Sequence, residues 1–242
     1  WSMICWSGPA RIGAPSLWDG SQTGTPGGTM GEGIIVGIID TGINIDHPSF
    51  AAVGGDGYTH VNPLGAGNYL GACAAQPATF VCNDKLIGAY SWPESGDNPE
   101  DNWGHGSNVA AIAAGNVITL PYAAPTLTLT PTLSGVAPHA TLIAYDVCSA
   151  TTCPDYLGIL AIEQAILDGA DVLNYSIGGT AVDPWNDPLA LAFLAAREAG
   201  IFVATAAGNN GPNPGTINSP GNVPWMTTAG NATGPARFDN TL

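Results

Sequence analysis

The chain alternates between short apolar runs and loop-like stretches rich in Gly, Asn and Pro. The run at 33–39, GIIVGII, has no polar position and ends at an acid, Asp40. A continuous run of that length predicts a strand buried on both faces of a parallel sheet. Residues 51–103 read as loop. Helical patterning begins near His105, and the Ala-rich stretch 108–114 stops at Gly115 and Asn116. Thr and Leu alternate across 126–130 between prolines, which reads as a hairpin or edge strand within 119–133. The run 140–145 is another strand.

The second half alternates more regularly. A helix is expected from Pro154 and Asp155 to Asp168, stopping at Gly169, and a strand at 171–177. Asp187 as N-cap and Pro188 in the first turn open the next helix, which Gly200 ends. Strands at 201–206 and 223–229 complete the pattern. Strand–helix–strand alternation at this spacing predicts an α/β fold: a parallel, twisted sheet with helices on both faces. Residues 1–33 read as an irregular leading segment. In such sheets the chemistry gathers at the carboxyl ends of the strands.

Composition narrows the function. The 19 Asp and Glu face only 4 Lys and Arg, for a formal charge of −15. Nucleic acid is excluded as a partner, because too few cations exist to displace counterions. An anionic membrane surface is disfavoured for the same reason, and no apolar run is long enough to span a bilayer. The five cysteines include the close pairs Cys73/Cys82 and Cys148/Cys153. Two bridges in an oxidising compartment, leaving Cys5 over, and five buried thiols are both compatible with that spacing. The glycines at 31, 33 and 37 precede a strand and do not link one to a helix, so they do not form a dinucleotide loop. The histidines and cysteines show no zinc-ligand spacing.

Three polar residues stand where a parallel sheet places its chemistry. Asp40 follows the first strand, His105 opens a helix between two glycines, and Asn209 follows the strand at 201–206. Singly, each has an ordinary reading as a cap or turn residue. Their order and neighbours say more. VGIIDTGI at 36–43, GHGSNVA at 104–110, NYSIGG at 174–179 and AAGNNG at 206–211 together resemble the subtilisin-like serine proteases, the subtilases. CNDKLIG at 82–88 and the segment around Tyr145 to Cys148 are closest to the plant-type branch.

The resemblance implies a role for each position. His105 is the general base and then the acid of an acyl transfer, oriented by Asp40. Asn209 donates to the oxyanion. Ser176, Ile177 and Gly178 pair with an extended substrate, and with Ala206, Ala207 and Gly208 they wall a pocket for a sizeable apolar side chain. It implies a polypeptide substrate, a secreted protein and a disulfide between Cys73 and Cys82; Cys148 and Cys153 flank a five-residue step at the expected cleft edge, where a bridge would stiffen the rim. Structural calcium also fits the family and the loop at 97–102, while no catalytic metal or cofactor is implied. Asn231, and less realistically Asn174, match the glycosylation pattern.

There are departures. Ser107 and Asn108 replace the Thr and second His that usually follow the histidine. Asp146 stands where plant-type members usually carry Lys, a change expected to leave the triad untouched. No nucleophile motif of the Gly-Thr-Ser-Met-Ala type occurs, and Ser107, Ser176 and Ser219 are unsuited to replace it. Residues 1–242 are therefore expected to be the N-terminal part of one catalytic domain, its sheet incomplete on the C-terminal side. The serine then comes from a C-terminal remainder, and the chain alone is inactive. The alternative is a pseudoprotease that binds extended peptides without cutting them.

Overall fold

The computed structural model describes residues 8–24, 26–75, 80–124 and 127–231. In chain order the helices are α1 (Ala14–Trp18), α2 (Ala72–Ala75), α3 (His105–Ala114), α4 (Asp155–Leu167) and α5 (Pro188–Glu198). The strands of the main sheet are β1 (Ile35–Asp40), β2 (Leu70–Gly71), β3 (Leu86–Ser91), β8 (Thr141–Asp146), β9 (Val172–Tyr175), β10 (Phe202–Ala206) and β11 (Thr227–Ala229). Four short strands lie apart from it: β4 (Ile118–Thr119), β5 (Tyr122–Ala124), β6 (Leu127–Leu129) and β7 (Thr132–Leu133). Among the described residues the main sheet has seven strands in the order β11-β10-β9-β1-β8-β3-β2. Every pairing in it is parallel.

β1 lies at the centre because all six of its residues are buried. Its side chains alternate between two cores. Ile35 and Ile39 join one cluster with Ile87, Ile143, Tyr145 and Leu173, covered by Leu157, Ala161 and Ile162 of α4 and Phe193 of α5. Val36 and Ile38 join the other with Leu86, Leu142 and Ala144, covered by Ala110 and Ala114 of α3. The Ala-rich sequence of α3 thus has a use: small buried side chains bring the helix close over the sheet. Helices cover both faces, as the apolar pattern predicts. The Asp187 carboxylate accepts from the N–H groups of Leu189 and Ala190, and Pro188 fills the first turn of α5, also as expected.

Several expectations need correction. The 51–103 segment is not all loop. It contains β3, whose residues Leu86 to Ala89 are buried in the sheet interior. Preceding it, Lys85 is fully buried, its Nζ donating to the carbonyls of Pro138 and Ala140. Burial pushes the Lys85 ammonium down to about 7. The leading segment is not wholly irregular either, since α1 lies within it and Trp18 Nε1 donates to the Val136 carbonyl at 3.0 Å. Two strands are shorter than read: β9 ends at Tyr175, and β11 starts only at Thr227. The earlier half of the 223–229 run carries Pro224, which cannot donate to a ladder. The hairpin expected at 119–133 is present as the antiparallel pairs β4–β7 and β5–β6. Residues 125 and 126 lie outside the described residues.

Two disulfides form, Cys73–Cys82 and Cys148–Cys153. Cys5 lies outside the described residues, as does most of the Asn231 glycosylation triplet.

The two-sided core makes a direct prediction. Ile143 and Leu142, adjacent on β8 and fully buried, point into opposite clusters. Replacing either with Ala is expected to cost about 2–5 kcal/mol. Replacing Leu167, which is 80% exposed, is expected to cost under about 0.5 kcal/mol. Thermal unfolding of the full-length protein ranks the three, and a Leu142 variant as mild as the Leu167 one contradicts this packing.

Candidate active site

Three strand ends and one helix start converge at the carboxyl edge of the sheet. Asp40 closes β1 and is buried. His105 is the first residue of α3, which packs over β1. The segment from Ser176 to Gly178 follows β9, and Ala207, Gly208 and Asn209 follow β10. β9 and β10 are neighbours, with Thr205 opposite Tyr175.

The central contact joins His105 Nδ1 to Asp40 Oδ1 at 2.6 Å. Because a carboxylate can only accept, Nδ1 carries the proton and Nε2 is left with its lone pair. The Asp40 side chain is 1% exposed and that of His105 51%, so the pair runs from the interior to the surface. The same Oδ1 also accepts the N–H of Thr41 at 2.8 Å. The hydrogen bond that His105 donates to Asp40 raises the His105 pKa; burial opposes this, and the charges of Asp40 and Asp101 add to it. A neutral imidazole with a basic, outward Nε2 can take a proton from a hydroxyl and return it to a leaving group.

The neighbourhood of that contact is fixed by hydrogen bonds. Thr41 Oγ1 donates to Asp101 Oδ1 at 2.9 Å and accepts the N–H of Gly106 at 2.8 Å, joining the end of β1 to the start of α3. Asp101 accepts three further bonds, from the N–H groups of Trp103, Gly104 and Ser107. Burial pushes its carboxyl up, but these donors prevail and hold it below the usual range. Ser107, a departure from the expected Thr, still supplies a hydroxyl: its Oγ accepts the N–H of Asn44 at 2.8 Å. Gly106 is required by close approach, since a Cβ there would overlap the carbonyl oxygen of Gly42.

Of the six residues expected to meet substrate, four line two cavities, while Ser176 and Ala206 line neither. Ile177 and Gly178 line one of about 550 Å³, together with Cys153, Leu189 and the carboxylates Asp155 and Asp187. Ala207, Gly208 and Asn209 line another of about 370 Å³. Asn209 itself is exposed. A smaller cleft of about 270 Å³ opens beside Thr41, lined by Trp103, Asp146 and Cys148. The Cys148–Cys153 disulfide therefore joins the rims of two of these spaces.

Sequence reasoning missed two carboxylates here. Asp101 lay in a loop valued only for calcium, yet it organises the start of α3. Its signal was present: an acid three residues ahead of Gly104 and six ahead of Ser107. Asp146 is in register with Asp40 on the neighbouring strand, a juxtaposition the sequence does not announce. Among the described residues no group of three or more His, Cys, Asp or Glu is arranged to hold a metal ion. No helix among them is long and apolar enough to cross a membrane.

Comparison with known proteins bears on the family and the fold. The model of the subtilase family matches residues 31–238. Subtilisin-like protease SBT1.4 of Arabidopsis thaliana is 33% identical over 92% of this chain and 29% of its own length. From the same organism, SBT1.9 is 36% identical over 92% of this chain and 32% of its own length. SBT2.6 is 36% identical over 97% and 30%. The chain thus spans about a third or less of these relatives. Among solved structures, a lanthipeptide protease superposes with a TM-score of 0.55 at 19% identity, over 89% of this chain and 53% of its own. That likeness concerns the fold.

Gly106→Ala tests the closeness of α3 to β1. The added methyl displaces the helix start and loosens the His105–Asp40 bond, so the His105 pKa falls toward its ordinary value. An imidazole NMR titration reads the change. Asp40→Asn, which removes the charge outright, is expected to lower it at least as far. An unmoved His105 in both variants contradicts the hydrogen bond as the cause of the raised pKa.

Proposed function

The chain belongs to the subtilase family, and from that premise we propose that it carries the aspartate and histidine of a secreted serine endopeptidase. The observation that carries the reading is the 2.6 Å bond between His105 Nδ1 and Asp40 Oδ1, with Nε2 on the exposed side. The nucleophile is a serine in the remainder of the protein, C-terminal to these residues. His105 Nε2 removes the serine proton as the hydroxyl attacks the peptide carbonyl. Asp40 holds the imidazole in the Nδ1–H tautomer and stabilises the imidazolium that forms. His105 then passes that proton to the departing amine.

Binding groups flank this axis. The Asn209 amide donates to the oxyanion as negative charge develops there. An extended polypeptide aligns along Ser176, Ile177 and Gly178 as an added strand, its backbone supplying the hydrogen bonds and the neighbouring cavities its side-chain selection. Ala206, Ala207 and Gly208 follow the adjacent strand and leave room beside Asn209. Two disulfides support a secreted location.

The experiment is serine-directed labelling of the full-length protein with a fluorophosphonate, followed by peptide mapping. The expected adduct lies on a serine outside residues 1–242, and His105→Ala abolishes it. Asn209→Ala is expected to lower kcat about 10²–10³-fold, the magnitude known for such a donor in a subtilisin. Absence of any adduct together with absence of peptide hydrolysis overturns the reading in favour of a peptide-binding relic.

A further inference from the structure

Asp146 is the last residue of β8, and its register partner on β1 is Asp40. Residues in register on parallel strands project to the same face of a sheet. Here that face is the one covered by α3: Val36 and Ile38 precede Asp40 on it, and Leu142 and Ala144 precede Asp146. Both carboxyl groups are buried, Asp40 at 1% exposure and Asp146 at 3%. Neighbouring strands lie about 4.8 Å apart. Negative charges on the ends of adjacent strands, both largely buried, repel one another, and that repulsion favours the neutral form of the carboxyl with fewer donors.

The two carboxyl groups differ in their donors. Asp40 Oδ1 has two, His105 Nδ1 and the N–H of Thr41. Asp146 Oδ1 has the N–H of Cys148 at 3.1 Å. The charged groups around Asp146 are Asp40 from β1, Asp101 from the loop before α3, and Glu94 and Glu100 across the cleft that Asp146 lines. His105 couples to it through Asp40. No Lys, Arg or His lines that cleft among the described residues. Burial pushes the Asp146 carboxyl up to about 7, and the charges of Asp101 and Asp40 act in the same sense against the Cys148 N–H. Asp40 Oδ2, meanwhile, is buried without a partner.

We propose that Asp146 is a positioning residue for the Asp40–His105 pair, holding a proton beside Asp40 and adding a second negative charge there when that proton is released. The catalytic consequence rests on the peptidase reading above; the charge coupling does not. The sign follows from the charges. While Asp146 is neutral, His105 feels the charges of Asp40 and Asp101. Once the Asp146 proton passes to solvent through the cleft, the added negative charge favours the imidazolium of His105. The base is then held protonated to higher pH, and activity rises later on its acid side than it would with a neutral residue at 146.

The test uses full-length protein with 15N-labelled histidine, as wild type, Asp146→Asn and Asp146→Lys. The His105 midpoint is expected to fall in that order, with Asp146→Asn about 0.5–1 pH unit below wild type. The acid limb of kcat/KM is expected to move in the same direction. A merely structural role would lower stability without a shift graded by charge. Should the variants fail to fold, the wild-type Asp146 carboxyl is followed by 13C NMR. Retention of its proton to near neutrality supports the proposal, and ionisation near pH 4 overturns it. His105 midpoints within about 0.2 unit across folded variants overturn it as well. A graded shift in a protein that hydrolyses no peptide refutes the peptidase reading and leaves the coupling intact. Hydrolysis without the shift refutes the coupling alone.

Discussion

A carboxylate buried at the end of a central strand must be met by donors, because an unpaired charge in the interior is costly. Asp40 is that carboxylate, and the surrounding structure answers to it. The His105 imidazole and the Thr41 N–H both reach Oδ1. For His105 to arrive, α3 must start over the end of β1. That requires a glycine at 106, a hydroxyl at 41 to receive its N–H, and Asp101 to gather the free N–H groups at the helix start. The Ala-rich face of α3 then lets the helix lie close along the sheet. One hydrogen bond thus sets the helix position, and the helix position seals one face of the core.

The sheet was legible where apolar runs were continuous and helices intervened. β1, β8 and β10 follow from their runs, and the alternation from 140 onward implies parallel pairing. β3 was not legible, for a physical reason. Lys85 stands immediately before it and Gly88 interrupts it, so the segment reads as a polar break in a long loop. The lysine is buried because two carbonyls, Pro138 and Ala140, receive its Nζ. Those acceptors lie more than fifty residues away in sequence. Tertiary hydrogen bonding inverted what the local sequence implied.

The site divides in the same way. Asp40, His105 and Asn209 could be picked out because each stands at the mouth of an element: strand end, helix start, strand end. Asp101 and Asp146 act through positions that only folding creates. Asp101 serves α3 from a preceding loop, and Asp146 meets Asp40 through the register of two strands 100 residues apart in chain numbering, a relation no local pattern encodes. The cavity of about 550 Å³ beside Ile177 and Gly178 belongs to this second class. Its walls combine residues from β9, the start of α5 and the disulfide at Cys153, and no single stretch announces it.

Scarcity of cations gives these carboxylates a common physics. With 4 Lys and Arg against 19 acids, and Lys85 enclosed in the core, the acids are held largely by N–H and O–H donors. Asp168 accepts from the hydroxyls of Tyr90 and Tyr145, Asp171 from the N–H of Ile35, and Asp187 from the first turn of α5. Among the described residues three ion pairs take histidine as their cation: His105 with Asp40, and His139 with both Glu32 and Asp56. A histidine pair carries its full charge only when the ring is protonated, and that occurs near neutral pH, where lysine and arginine pairs do not change. Neutral donors fix geometry without opposing charge, so each buried acid near the site is felt by the next. Asp101 and Asp40 both act on Asp146, and Asp101 and Asp40 both act on His105. The acidic composition is therefore more than a matter of solubility. It leaves the one imidazole at the sheet edge as the group on which the surrounding negative charges converge.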